Sequence, residues 1–225
     1  MDLPEPVKSS NAVGIDLGIK TFAVCSDGTE YGNPKHLGNA MAKLKWMQRQ
    51  FSKKEKGSNR RNAWKLRIPK QHERVSNQRR DFLPKATNEI TNRFDLMISE
   101  DLHIRGMVKN HKLAGAVSDC GWNMFETMLT YKSEWKGKKV AYIGRFETSS
   151  KICSACGNKN DTLTLAVRQL TCENCNTRHD RDRNAANNIL SIGLRNSGVE
   201  RTLAHGEQPA IAGAMKGKKR LSSVI

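Results

Sequence analysis

Residues 153–186 read CSACGNKNDTLTLAVRQLTCENCNTRHDRDRNAA. Cys153-x2-Cys156 and Cys172-x2-Cys175 are two knuckles about fifteen residues apart, the spacing of a zinc ribbon. Each knuckle turns two thiolates toward one tetrahedral ion, and the intervening hairpin brings the pairs together. A disulfide framework competes with this reading. It is disfavoured because the chain is strongly basic and opens Met1-Asp2-Leu3-Pro4-Glu5-Pro6, a polar, proline-broken start without a signal peptide. Directly after the second knuckle, Asp180 and Asp182 enter a helix that continues Asn184-Ala185-Ala186. An acidic pair at a helix start beside a metal ribbon points to chemistry beyond the structural ion.

A chain of 225 residues can bury a sizeable core, as one compact domain with a small appendage. No apolar run approaches the roughly 20 residues that span a bilayer. The expected compartment is therefore the cytoplasm, with no membrane partner. The formal net charge of +17 favours a polyanion. Between Lys35 and Arg93 stand 17 Lys/Arg and 4 Asp/Glu, so +13 of the +17 lies in that one segment. A charge run is often only a solvated face, but this concentration favours phosphate binding.

Ala12–Gly18 and Thr21–Cys25 read as two antiparallel strands, with turn residues Ser26–Thr29 leading to a third near Glu30-Tyr31. Leu37, Met41, Leu44, Met47 or Gln48, and Phe51 recur at helical spacing. After the break at Lys56–Asn59, a second helical stripe carries Val75, Phe82, Ala86, Ile90 and Phe94, which Pro69 and Pro84 are expected to kink or segment. The two helices predict an αα-hairpin with basic faces outward. Lys53, Lys54, Lys56, Arg60 and Arg61 fall at its tip, and Lys65, Arg67, Arg74, Arg79 and Arg80 along its second arm, as candidate nucleic-acid contacts. Phe94–Leu102 reads as a strand ending in acids, and Ile104–Leu113 as a basic connector. Ser118 or Asp119 is expected to cap a helix carrying Trp122, Phe125, Met128, Leu129 and Trp135, ended by Gly137. Lys139–Ile143 is a further strand, and a last helix runs from about Arg181 to Leu194.

Three acids stand out. Asp16 interrupts an apolar strand, which is costly unless a cation compensates it. Glu100 ends a second strand on the parity of Leu96 and Ile98, and Asp182 opens a helix. Acids at three element ends can converge on a hard divalent cation, and two such ions about 4 Å apart would support phosphodiester cleavage. Singly, each has a plainer role: a core or turn acid, a surface charge, a helix cap.

The segments VGIDLGIKTFAVCSDG (13–28), ISEDLHIRGMVKN (98–110), SSKICSACG (149–157) and TCENCNTRHDRDRNAANNIL (171–190) together resemble the transposon-encoded TnpB (OrfB) family, relatives of the type V CRISPR effectors. That resemblance implies an α/β fold: an RNase H-like (RuvC) mixed sheet with helices, interrupted by a basic helical hairpin and a zinc ribbon. It implies a metal-dependent endodeoxyribonuclease that cuts DNA at sites chosen by a guide RNA. Carried over by motif, the catalytic and magnesium- or manganese-binding acids are Asp16, Glu100 and Asp182, with Asp101 and Asp180 as neighbours. Structural zinc falls to Cys153, Cys156, Cys172 and Cys175.

The expected organisation is a leader over 1–11, a nuclease domain over 12–150 with the hairpin at 35–93, a ribbon over 151–178 that binds target nucleic acid, a last nuclease motif and helix over 179–197, and a disordered basic tail over 198–225. Family members place a β-barrel and a helical recognition domain before the first motif, where about twelve residues stand here. The expectation is one nuclease half of a split or multi-chain effector, partnered by target DNA, guide RNA, and a separate N-terminal chain or a second copy. A non-cleaving nucleic-acid-binding accessory protein is the alternative. An actin-like ATPase is a remoter one, because Gly14-Ile15-Asp16-Leu17-Gly18 also suits a phosphate-binding hairpin, although no second Gly-rich loop follows.

Overall fold

The computed structural model describes residues 11–145, 147, 149–160 and 168–196. The leader, except for residue 11, and the tail over 198–225 lie outside the described residues.

Alternation of apolar residues sets the sheet. β1 (Ala12–Leu17), β2 (Thr21–Cys25) and β3 (Glu30–Gly32) form an antiparallel meander. β4 (Leu96–Glu100) pairs parallel with β1, and β5 (Lys139–Ile143) parallel with β4, giving the order β3-β2-β1-β4-β5. This is the mixed sheet of the expected α/β architecture. Period-2 geometry divides its side chains between two layers. On one face Val13, Ile15, Phe22 and Met97 pack with Leu83, Ala86 and Ile90 of α2 (Asn59–Arg93) and with Trp122, Phe125 and Leu129 of α5 (Trp122–Trp135). On the other, Leu96, Ile98 and Ile143 pack with Ile189 and Ile192 of α6 (Arg181–Asn196).

Two glycines let α6 lie close. A Cβ on Gly14 would stand 2.1 Å from the Ala186 carbonyl oxygen, and one on Gly193 would stand 2.3 Å from Ile98 Cγ2. Ala185 and Ala186, both buried, keep the helix slim at the same contact.

α1 (His36–Ser52) and α2 form the expected helical pair, with Ser58 Oγ capping α2 through Arg61 N. One expectation needs correcting. Pro69 and Pro84 do not segment the second arm, since α2 is a single helix of 35 residues, about 50 Å long. Around Pro84 the helix is held by burial of Leu83, Ala86, Thr87 and Ile90 against the sheet. Lys132 Nζ adds hydrogen bonds to Pro84 O (2.7 Å) and Thr87 Oγ1 (2.9 Å). These contacts offset the roughly 3 kcal/mol that an interior proline costs.

The connector after β4 contains a short helix, α3 (Ile104–Val108). Ser118 and Asp119 do not cap α5. They lie inside α4 (Ala114–Cys120), and α5 starts from Gly121 at φ 70°. Asp119 instead accepts hydrogen bonds from Leu37 N and Gly38 N at the start of α1, and pairs with Arg79 at 3.0 Å. This one buried acid ties both helices of the hairpin to the α/β body. After β5, β6 (Gln169–Thr171) and β7 (Arg178–Asp180) pair as a separate two-stranded hairpin. No helix among the described residues is long and apolar enough to cross a membrane.

Candidate active site and metal centre

Gly14 faces Ala186 and Leu190 of α6, so Asp16, two residues on, points to the same layer. Glu100 shares the parity of Leu96 and Ile98, which also meet α6. β1 and β4 run parallel with Ile15 opposite Ser99. Asp16 and Glu100 are therefore one residue further on, at the same end of adjacent strands. Asp182 sits in the first turn of α6. Asp16 feels both other acids: burial pushes its carboxyl up to about 7, and the charges of Glu100 and Asp182 add to it, partly countered by Arg181 and Arg168.

Each neighbour has a partner of its own. Ser149 Oγ donates to Glu100 Oε1. Arg168 Nη1 lies 3.0 Å from both oxygens of Asp182. Asp101 turns to Arg145, with contacts at 2.9 and 3.1 Å. Asp180 accepts from Asp182 N and Arg183 N and so caps α6. Asp101 and Asp180 thus have structural work of their own, while Asp16, Glu100 and Asp182 face a common space. Their oxygens are not drawn together within 4.8 Å. Among the described residues, the four thiols are the one group of three or more ligand side chains gathered that tightly. A half-buried carboxyl raised first by desolvation and then by two neighbouring acids is short of positive charge, and an all-oxygen donor set suits a hard divalent cation.

The four thiols are built by two equivalent turns. Cys153 N donates to Asn158 O while Cys153 O accepts from Gly157 N, and Cys172 repeats this with Thr177 O and Asn176 N. The residue closing each turn is left-handed, Gly157 at φ 74° and Asn176 at φ 55°. The sulfurs of Cys153 and Cys175 are 3.7 Å apart, and those of Cys156 and Cys172 are 3.6 Å apart. A disulfide needs about 2.05 Å. Four thiolates at about 2.3 Å from one tetrahedral ion stand about 3.8 Å from each other, so the cluster fits zinc. Polar neighbours surround the sulfurs. His179 Nε2 lies 3.2 Å from Cys153 Sγ, and Asn174 Nδ2 donates to Cys156 Sγ. Hydrogen bonding with the Thr177 side chain and backbone holds the Cys175 thiol down at about 6.

Sequence reasoning missed the residues that join these two centres. Asn184 and Asn188, one helical turn apart and both buried, fasten α6 to the first knuckle. Asn184 accepts from Ser154 N at 2.8 Å and donates to Ile152 O at 2.7 Å. Asn188 Nδ2 donates to Ser149 O at 2.7 Å and to Ile152 O at 2.6 Å. Ser149 is also the residue that holds Glu100. The available signal was two asparagines at i, i+4 on the apolar stripe of α6.

Of the ten candidate nucleic-acid contacts, Lys53, Lys56, Arg60, Lys65, Arg67, Arg74 and Arg80 are exposed. Lys54 is half-buried. Arg61 is partly committed to the hairpin itself, with Nη1 2.8 Å from Lys54 O and its guanidinium 4.2 Å from the Phe51 ring centroid. Arg79 is engaged by Asp119. An open groove of about 860 Å³ runs beside His36, Lys70, Arg74 and Lys85 on this helical face, away from the three acids.

Two family models match the chain. One described as "Probable transposase" (OrfB_IS605) covers residues 2–111, which include Asp16 and Glu100. One described as "Cas12f1-like, TNB domain" covers residues 122–189, which include the four thiols and Asp182. The chain is 41% identical over 191 residues to a Streptomyces pristinaespiralis protein named "Putative RNA-guided DNA endonuclease", covering 85% of this chain and 47% of the relative. It is 31% identical over 202 residues to "Putative RNA-guided DNA endonuclease InsQ" of Escherichia coli K12, covering 82% of this chain and 50% of the relative. The chain thus spans about half the length of the curated relatives it matches. Among solved structures, Cas12f1 from a complex with sgRNA and target DNA superposes with a TM-score of 0.58 at 22% identity, covering 84% of this chain and 51% of that one. At that identity the likeness is one of fold.

Proposed function

The chain belongs to the TnpB (OrfB) family, and from that premise we propose that it carries the cutting half of an RNA-guided DNA endonuclease, with Asp16, Glu100 and Asp182 as its catalytic, metal-binding acids. The observation that carries this reading is the placement of Asp16 and Glu100 at the same end of adjacent parallel strands, on the face covered by α6, whose first turn carries Asp182; burial, and then the charges of Glu100 and Asp182, raise the Asp16 carboxyl. When bound, magnesium or manganese supplies Lewis-acid stabilisation of the scissile phosphate and a more acidic water. The chain's own residues set the stage. Ser149 orients Glu100, the Asp180 cap fixes the first turn of α6, and Arg168 balances the charge of Asp182. Zinc is assigned to Cys153, Cys156, Cys172 and Cys175 as a closed structural site with no position left for water. The ribbon then serves as a target nucleic-acid-binding module, and the basic hairpin over 35–93 follows the phosphate backbone.

Guide holding and recognition of a short flanking motif are assigned to the part of the relatives' length outside the match. In guide-dependent nucleases base pairing selects the target, and the protein reads only that motif. The accessory-protein alternative draws support from the spread of the three carboxylates, whose oxygens do not gather within 4.8 Å. Turnover separates the two readings. The proposal expects residues 1–225 to cut single-stranded DNA slowly with Mg²⁺ and without a guide, and to cut a matched duplex in a programmed way only when the unmatched recognition part is supplied. No cutting under any of these conditions overturns the nuclease reading. Programmed cleavage by residues 1–225 alone overturns the assignment of guide holding to the unmatched part.

A further inference from the structure

Trp46 stands on α1 with 53% of its surface exposed. Its ring meets Trp64 of α2 edge-on, with centroids 5.6 Å apart and planes at 68°. Trp64 is braced in turn by the Arg67 guanidinium, 5.2 Å from its ring centroid. The pair is therefore held in place while Trp46 keeps much of its ring open to solvent.

The surroundings identify what would cover that ring. From Lys35 to Gln71 there are 12 Lys/Arg and a single acid, Glu55. One helical turn from Trp46 stand Lys43 and Arg49, and one turn from Trp64 stand Arg60 and Arg67. A protein partner that buried this tryptophan would also have to desolvate those cations. An unpaired nucleic-acid strand offers what the surface asks for: a π face for the ring and phosphates for the cations. A duplex offers only the phosphates, because its bases are already stacked on each other.

Resting on the reading of the hairpin as a phosphate-binding face, we infer that Trp46, braced by Trp64, is a stacking platform for an unpaired base, with the flanking phosphates held by Lys43, Arg49, Arg60 and Arg67. The phosphate contacts are indifferent to strand state, and the platform adds a preference for single strands. Such a preference would place an unpaired segment of either the RNA or the opened DNA against α1.

The test measures the affinity of the full chain for labelled single-stranded oligonucleotides, ribo and deoxy, across a salt series. A version of each strand without bases is run in parallel. Trp46→Ala should weaken binding of intact strands about tenfold, the order of one base–aromatic stack, with an unchanged salt slope. Trp46→Phe should recover most of that loss, and the ribo and deoxy arms report which strand is preferred. Strands without bases should bind Trp46→Ala and the unsubstituted chain equally. In a Trp135→Phe background, which removes the other exposed indole (80% exposed), intact strands should quench tryptophan fluorescence. An unchanged affinity for Trp46→Ala, or the same loss on strands without bases, overturns the platform. A flat salt slope in the unsubstituted chain overturns the phosphate-binding reading instead, whatever Trp46 does.

Discussion

A single nitrogen of Arg168, Nη1, lies 3.0 Å from both carboxylate oxygens of Asp182. The guanidinium therefore holds the place where a divalent cation would have to share Asp182, and Arg168 also lowers the Asp16 carboxyl. Arg168 reaches this position because it flanks β6, and its carbonyl accepts from Arg181 N at the start of α6. Both side chains are partly exposed, so the pair is a modest competitor, worth about 0.2–1 kcal/mol.

Arg168→Ala should consequently ease cation binding. Thermal stabilisation by Mn²⁺ should reach its midpoint at a concentration lower by up to about fivefold. A midpoint that is unchanged or higher would show that Arg168 does not compete for Asp182.

The ribbon and the acid site should not be separable. Cys153→Ser or Cys172→Ser should release zinc, read as loss of one zinc per chain in elemental analysis under reducing conditions, and should loosen α6. Asn184→Ala removes a buried side chain and leaves the half-buried Ser154 N without its acceptor, and should destabilise the chain by about 1–3 kcal/mol in urea unfolding. Zinc retained in full by both serine variants would contradict the assignment.

Close approach of α6 to β1 gives a sharper test of packing. In Gly14→Ala the new methyl would stand 2.1 Å from Ala186 O and 2.7 Å from Leu190 N, both backbone atoms. The helix must shift, at a cost of about 1–3 kcal/mol or more, and Asp182 shifts with it. The unfolding midpoint should drop. An unaffected midpoint would mean that α6 does not seat on Gly14.

Glu126 on α5 supplies a pH dependence away from the proposed metal site. Its Oε1 is buried without a hydrogen-bond partner, and burial first, then the charge of Asp101, raises the carboxyl from 4.5 to about 7. The folded state holds this proton more tightly than the unfolded chain. The contribution to stability is therefore full below pH 4.5 and is lost as pH rises through about 7. Glu126→Gln should lose less stability between pH 5 and pH 8 than the unsubstituted chain, measured by urea midpoints. Equal slopes would show that Glu126 titrates normally.

Local periodicity carried far, and long-range contacts did not. The alternation in residues 12–25 and 96–100 reads directly as β1, β2 and β4, and it also tells which face Glu100 takes. The thiol spacing reads as two knuckles because each turn closes within six residues. Asp119, by contrast, looked like a local cap and instead serves Leu37, 82 residues away, a contact that no periodicity announces. Pro84 looked like a break because the sequence does not show that Lys132, 48 residues on, reaches its carbonyl. Arg168, Ser149 and the two asparagines were illegible for the same reason: their partners lie across the junction of ribbon, sheet and helix.

The claim that Asp16, Glu100 and Asp182 form one divalent-metal site is tested most directly by the cleavage rate of labelled single-stranded DNA in Mg²⁺, at protein concentrations that saturate binding. Asp16→Ala, Glu100→Ala and Asp182→Ala should each fall to background, and the triple variant no further, because groups acting as a unit are lost together. Mn²⁺ should substitute for Mg²⁺, and Asp180→Ala, which loses only a helix cap worth about 1 kcal/mol, should retain cutting. Abolition by Asp180→Ala with activity surviving in Asp182→Ala would contradict the account.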